Sequence, residues 1–298
     1  MLAKLKKNTF IFFIFLNTAL NQDRFNLENL DNSYFYVLLS PDKSKMILSN
    51  NAYNTLTFLT KKERFFPTIP SLNTFKSKWS PDSEKLLTMI SDYSKKKRVN
   101  SLIVLNDKGE VQNTIVANST DRILPLDWTG ENTFHALVND SLRSFNTLRN
   151  KNEWDSELIY AVDKEVFLKE NDLKSSLLYK AKNSVLNLDY SKKGKLIVFE
   201  VYGHNTIVFN RSDKKTISLG KANGPAISPD DSKILFMKLI DDGYQIISGD
   251  IFLWDSKSET ILPILNDPDI IQMNPVWLNN DSFYYIDYKT SSVKFKKL

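Results

Sequence analysis

Cysteine is absent from the 298 residues, and histidine occurs only at His135 and His204. Without thiols the chain has no disulfide framework, no thiolate metal site and no cysteine nucleophile. Two histidines leave little for metal or triad chemistry, and no His-Glu-x-x-His, Gly-x-Ser-x-Gly or phosphate-cradling glycine loop occurs. The acidic turns at Asp241-Asp242 and Asp267-Pro268-Asp269 fall short of the ~6 to 8 oxygen donors that calcium takes. The expectation is therefore no catalytic residue, no metal and no cofactor. Glycine is also scarce, with eight in the chain, so turns must rely on Asn and Asp to reach unusual backbone angles. Sustained helical periodicity is missing from Asp23 onward. In its place stand short runs of β-branched and aromatic residues broken by Asn, Asp, Ser and Lys, which read as all-β. A chain of this length can bury a sufficient core without a covalent or metal staple.

The N-terminus has a different character. Lys4, Lys6 and Lys7 precede the apolar run Phe10 to Leu16, the order expected of a secretory signal peptide. That run is shorter than the ~20 apolar residues of a spanning helix. Residues 1–22 are read as a signal peptide or, if uncleaved, an N-terminal anchor, with residues 23–298 as the folded domain. Removing the three lysine charges of the leader from the net +5 leaves +2. The remaining basic clusters, Lys95-Lys96-Lys97-Arg98 and Lys294, Lys296 and Lys297, read as a solvated loop and a solubilising terminal strand. No nucleic-acid partner is expected.

A turn that starts a strand recurs along the domain. Ser228-Pro229-Asp230-Asp231-Ser232-Lys233 has clear sisters in Ser40-Pro41-Asp42-Lys43-Ser44-Lys45 and Ser80-Pro81-Asp82-Ser83-Glu84-Lys85. Weaker copies centre on Thr129, Ser191 and Leu278, and the anchors lie 40, 49, 62, 37 and 50 residues apart. An aromatic precedes the turn at Trp79, Trp128, Tyr190 and Trp277. Periods of ~40 to 50 residues holding about four strands each are the signature of propeller blades. The fifth unit reads as strands over 225–227, 233–239, 249–254 and 259–265. The last unit runs out after three strands, so residues 24–30, with Phe25, Leu27 and Leu30, are expected to supply its outer strand and close the ring. The long stretch 148–183 contains candidate strands at 158–162, 165–168 and 176–179. These form either an extended outer hairpin or a degenerate seventh blade without its inner-strand signature. Sharing the 276 residues after the leader among six blades gives 46 each. The expected fold is thus a six-bladed β-propeller of four-stranded antiparallel blades, closed by the N-terminal strand, with seven blades as the alternative.

The Ser-Pro-Asp turn followed by Lys and an apolar strand resembles the PD40, or TolB-like, propeller repeat. Gly249-Asp250-Ile251-Phe252-Leu253-Trp254-Asp255 and Asn274-Pro275-Val276-Trp277 resemble its third-strand and next-blade signatures. The resemblance covers nearly all of residues 31–288. Three departures are Lys43, Ser83 and Asp231, which stand where the family has glycine. The chain looks like a propeller-only member, without the α/β domain that precedes the propeller in TolB itself. Taken with the leader and the missing catalytic motifs, the expectation is a non-catalytic extracytoplasmic propeller, periplasmic first and secreted or N-terminally anchored as alternatives, that binds a protein or peptide in the bacterial envelope. Two alternatives are a carbohydrate-binding or polysaccharide-processing propeller and a detached peptidase-type propeller.

Tyrosine recurs at or just after the second strand of five units, at Tyr53, Tyr93, Tyr202, Tyr244 and Tyr288. Loops at these positions emerge on one face of a propeller, where tyrosines can form an amphipathic binding surface for a protein, peptide or glycan. The competing and commoner arrangement packs each against its neighbouring blade. His204, in a Gly-His-Asn loop, is the better ligand candidate of the two histidines. His135, inside an apolar run, reads as structural.

Overall fold

The fold is known from a computed structural model that describes residues 24–28, 30, 33–50, 56–66, 72–93, 97–148, 154–171, 174–192 and 194–298. The expected leader and Tyr53 lie outside the described residues. Among the described residues, twenty-five strands, numbered β1 to β25 along the chain, form seven antiparallel sheets that span residues 34–65, 72–119, 123–146, 158–180, 185–218, 223–265 and 272–297. No helix of the described residues is long and apolar enough to cross a membrane.

Each sheet is a blade, and the blades pack side by side through apolar seams. Ile47 and Phe58 of the first blade meet Trp79 and Leu86 of the second. Leu87 and Leu102 of the second meet Trp128 and Phe134 of the third, and so on to Leu235 and Ile251 of the sixth against Trp277 and Phe283 of the seventh. Val37, Met46 and Leu48 of the first blade then meet Tyr284 and Ile286 of the seventh, which closes the ring. Second strands have neighbours on both faces, which is why they read as continuous apolar runs: β10 (Thr133–Val138), β16 (Leu196–Val201) and β24 (Ser282–Asp287) are buried at every position.

There are seven blades, not the six preferred from the repeat, and the reason lies in the fourth. Its strands, β12 (Leu158–Val162), β13 (Glu165–Lys169) and β14 (Ser176–Lys180), follow the long interval. β12 starts beside the end of the third blade's inner strand, where Asp155 and Ser156 donate to the Thr129 carbonyl. It ends beside the start of the fifth blade's inner strand, where Val185 donates to the Asp163 carbonyl at 2.7 Å. β12 therefore runs opposite to the inner strands on either side, β9 (Ile123–Trp128) and β15 (Val185–Tyr190). The fourth blade lacks an inner strand of the common direction, and with it the turn that marks the other six.

The repeated turn is built from its own side chains. In the copies at Ser40, Ser80 and Ser228, the serine hydroxyl donates to the aspartate two residues on and accepts the N–H of Lys45, Lys85 or Lys233 at 2.9 Å. The aspartate also accepts the N–H of Ser44, Glu84 or Ser232. Burial pushes the Asp42 carboxyl up, but hydrogen bonds from Ser40, Ser44 and Ser83 outweigh it and bring its pKa to about 2. Lys43, Ser83 and Asp231 have φ of 61°, 64° and 62°, the left-handed region in which glycine carries no steric cost. This accounts for glycine at that place in the PD40 repeat. The lysine that begins each second strand reaches the next blade's turn: Lys45 donates to the Ser83 carbonyl, Lys85 to that of Glu131 and Lys233 to that of Asn280. Replacing Asp230 with alanine is expected to cost about 1 kcal/mol in chemical denaturation. A cost well above that would mean the carboxylate does more than hold its own turn.

Residues 24–30 do not form the expected outer strand. The described part of the segment is irregular and fills the seam between the seventh and first blades with side chains. Phe25 is buried there with Leu27 and Leu30 against it. The Phe25 N–H is donated to the Tyr284 hydroxyl at 3.1 Å, and the Arg24 guanidinium lies 3.8 Å from the Phe295 ring centroid. The alternation of Phe25 and Leu27 reflects insertion into a seam, not pairing along β25 (Ser292–Lys297).

Candidate functional site

The Ser-Pro-Asp turns lie at one end of the ring, here the lower face. Inner strands start, and second strands end, at the upper face. Three of the sequence-selected tyrosines stand exposed there. Tyr93 follows β6 (Lys85–Asp92) and is 66% exposed, with the Arg98 guanidinium 5.6 Å from its ring centroid. Tyr202 follows β16 and is 64% exposed. Its backbone is fixed by donation of its N–H to the Ser184 carbonyl and by the Asn183 amide on its own carbonyl. Tyr244 is 99% exposed at the tip of the hairpin between β20 (Lys233–Asp241) and β21 (Ile246–Asp255).

That tip is rigidly built. The Asp242 carboxylate accepts the N–H groups of Tyr244 and Gln245, each at 2.9 Å, and these donors lower its pKa. Gly243 sits at φ 89°, a conformation open to glycine at little cost. The two strands run past the rest of the blade and carry Ile240 and Ile247, both exposed. Phe66, after the first blade's outer strand, and Leu186, near the start of β15, add further exposed apolar surface to this face.

The other candidates differ. Tyr288 is half-buried, its ring edge-on to Phe35 at 5.9 Å in a cluster with Met237, Ile271 and Met273. For this residue the packing arrangement holds. His204 is exposed, in the β16–β17 loop next to Tyr202. His135 is fully buried between Thr129 and Ser144, to which its ring nitrogens are bonded at 2.8 and 3.0 Å. Burial pushes its pKa down to about 4.

A second grouping lies around the axis and was not picked out from the sequence. Residues two places before the turns come together: Lys78, Asp127 and Asp189, with Tyr36, Lys43 and Tyr190 close by. The aspartates link blades, Asp127 the third to the fifth and Asp189 the fifth to the sixth. Asp127 accepts the Trp128 N–H at 2.8 Å, the Tyr190 hydroxyl at 3.0 Å and the Lys192 ammonium at 3.4 Å. Asp189 accepts the N–H groups of Tyr190 and Ile227. Burial raises the carboxyl of Asp189, whereas at Asp127 burial is overcome by Lys192 and Lys78, which hold it low. The indoles repeat the linkage: Trp128 donates to the Lys78 carbonyl and Trp277 to that of Ala226, each acceptor two residues before the preceding turn. Tyr190 makes the equivalent reach to Asp127 past the fourth blade. Among the described residues no group of three or more His, Cys, Asp or Glu side chains is placed to hold a metal ion.

No protein-family model matches the chain, and no curated protein matches it in sequence. Solved structures match it in shape. The β-propeller domain of Cps50 (Swd1) from Myceliophteria thermophila gives a TM-score of 0.61 at 9% identity, covering 92% of this chain and 99% of that one. A putative TolB from Agrobacterium tumefaciens gives 0.50 at 13% identity, covering 89% and 91%. Hydrazine synthase of Kuenenia stuttgartiensis gives 0.50 at 11%, covering 93% and 79%. Identities this low speak for fold alone. With the seven sheets and their closed ring of seams, they show that this chain is a seven-bladed β-propeller, similar in architecture to both WD40-type and TolB-like propellers.

Proposed function

We propose that the chain is a non-catalytic, extracytoplasmic propeller that binds a protein or peptide of the bacterial envelope through its upper face. The observation that carries this reading is the exposure of Tyr93, Tyr202 and Tyr244, with Ile240 and Ile247, on one face of a rigid ring. Tyrosine presents a large amphipathic surface at low conformational cost, and exposed apolar residues on the adjacent fifth and sixth blades, Tyr202, Tyr244, Ile240 and Ile247, are the kind that mark interaction surfaces. The extracytoplasmic placement rests on the basic flank and apolar run of residues 4–16. A role in binding, not turnover, is favoured by the axial carboxylates, whose oxygens are engaged by backbone N–H groups, Tyr190 and Lys192.

The combined variant Y93A/Y202A/Y244A should lose the partner recovered by the wild-type chain from the envelope while unfolding at an unchanged denaturant midpoint. The lower-face variant Lys257→Ala should keep it. Retention by the triple variant would refute the assignment.

One observation favours glycan as the ligand: Tyr36, Tyr190, Asp127 and Asp189 gather around the axis, the arrangement of aromatics and carboxylates that sugar binding or processing requires. Oligosaccharide turnover abolished by Asp189→Asn in a folded protein would replace the binding reading with this one.

A further inference from the structure

The fourth and fifth blades leave a space between them at the lower face, on the opposite side of the ring from the tyrosines. There, a cavity of about 570 Å3 opens between the fourth and fifth blades, within the size range of small-molecule sites. One wall is apolar: Leu168 of β13, Leu177 and Leu178 of β14, and Phe209 of β17 (Thr206–Asn210). The other is basic: Lys192 and Lys195 from the fifth blade's first turn, and Arg211 and Lys214 from its second.

The charges are not equivalent. Lys192 is held by Asp127 and the Trp128 carbonyl. Arg211 is gripped by both carboxylate oxygens of Glu157, with Glu170 acting on it from the end of β13. Lys195 and Lys214 form no ion pair among the described residues, although the Asp231 carboxylate accepts the Lys195 N–H at 2.8 Å and feels its charge; both lysines are exposed at the rim. Lys214 sits at φ 59°, fixed by the turn in which the Lys215 N–H donates to Asp213. Beneath them Leu177 is 52% exposed, although it belongs to a strand whose other apolar residues face the blade seam. Ammonium groups outside any ion pair, beside an uncovered leucine, suit a ligand with a negative head and an apolar body. Burying such a body removes apolar surface from water, and the head supplies a counter-charge to Lys195 and Lys214.

We infer that this cavity is a binding site for a small amphipathic anion, a carboxylate, sulfate or phosphate carried on an apolar chain. It is separate from the upper-face reading and survives if that reading fails.

Decanoate is a suitable probe, with acetate and decanol as head-only and tail-only controls, each titrated calorimetrically into the full chain. Decanoate is expected to bind at one site per chain, with both controls at least about tenfold weaker. K195A/K214A and, separately, Leu177→Asp are each expected to weaken decanoate binding about tenfold or more. All these side chains are exposed, so the unfolding midpoint should not move. Y93A/Y202A/Y244A should bind decanoate as the wild type does, which keeps this test independent of the upper face. Absence of saturable decanoate binding overturns the inference. So does decanoate binding unaffected by these substitutions, or a site that takes an acidic peptide and not decanoate.

Discussion

Trp128→Ala is expected to destabilise the chain by about 3 to 5 kcal/mol, the range for removing a fully buried large aromatic. Trp128 has no solvent exposure, lies 4.9 Å from the Phe134 ring centroid, and shares the seam between the second and third blades with Leu87, Leu102 and Val104. Neighbouring blades are held by their own ladders, so the hole would close only in part. Two phenylalanine substitutions separate packing from hydrogen bonding. Trp128→Phe also loses the 3.0 Å bond to the Lys78 carbonyl, a loss of about 1 kcal/mol. The buried indole nitrogen of Trp79 has no hydrogen-bond partner among the described residues, so Trp79→Phe should cost less than Trp128→Phe. Urea midpoints of the three variants give the answer. A cost for Trp128→Ala below about 1 kcal/mol would mean that the seam is not closed as described.

The second large effect is expected at Asp127, where the ring is interlocked past the fourth blade. Asp127→Ala takes the acceptor from the Tyr190 hydroxyl and the Trp128 N–H and leaves Lys78 and Lys192 without their nearest counter-charge. Removing one member of a recessed, hydrogen-bonded set costs about 2 to 4 kcal/mol. Tyr190→Phe should cost about 1 kcal/mol. The double variant should show a coupling energy of at least about 0.5 kcal/mol, because the two groups touch. The effect has a pH signature. With the folded-state pKa of Asp127 held below its usual value, its ionised form stabilises the fold at pH above the unfolded-state pKa. That contribution fades as pH falls through the lower folded-state value. The gap between wild type and Asp127→Ala should therefore narrow on acidification below pH ~4. A gap that is flat across this range, or additive single substitutions, would show that Asp127 does not couple the blades.

Much of this architecture was legible because the turn chemistry is local. Ser228, Asp230 and Lys233 satisfy one another within six residues, so the pattern survives in the sequence, and each copy marked an inner strand correctly. The preference for six blades over the alternative of seven failed for the same reason. A signature carried by the turn after an inner strand is silent in a blade that lacks one, so 158–162, 165–168 and 176–179 read equally well as an outer hairpin or as a seventh blade. Phe25 and Leu27 alternate as strand residues do, yet their destination is a seam against Tyr284, some 260 residues away in the chain.

For the site, periodicity located the loops but not their exposure. Tyr93 and Tyr288 occupy comparable places, but Tyr288 meets Phe35 where the seventh blade closes on the first, a contact no local pattern records. Ile240 and Ile247 look like ordinary strand residues, and only the length of their hairpin carries them beyond the blade. Lys78, Asp127 and Asp189 are 49 and 62 residues apart and meet only because each ends an equivalent strand. Aligning the residue two places before each turn would have grouped them.

The binding reading is tested most directly by placing a photo-crosslinking amino acid in the intact chain, in its native envelope, at Tyr202, at Tyr244 and at the lower-face Lys257. The account predicts a discrete adduct of the same partner protein from both tyrosine positions and none from Lys257. Adducts from Lys257 alone, or none from either tyrosine position, would contradict it.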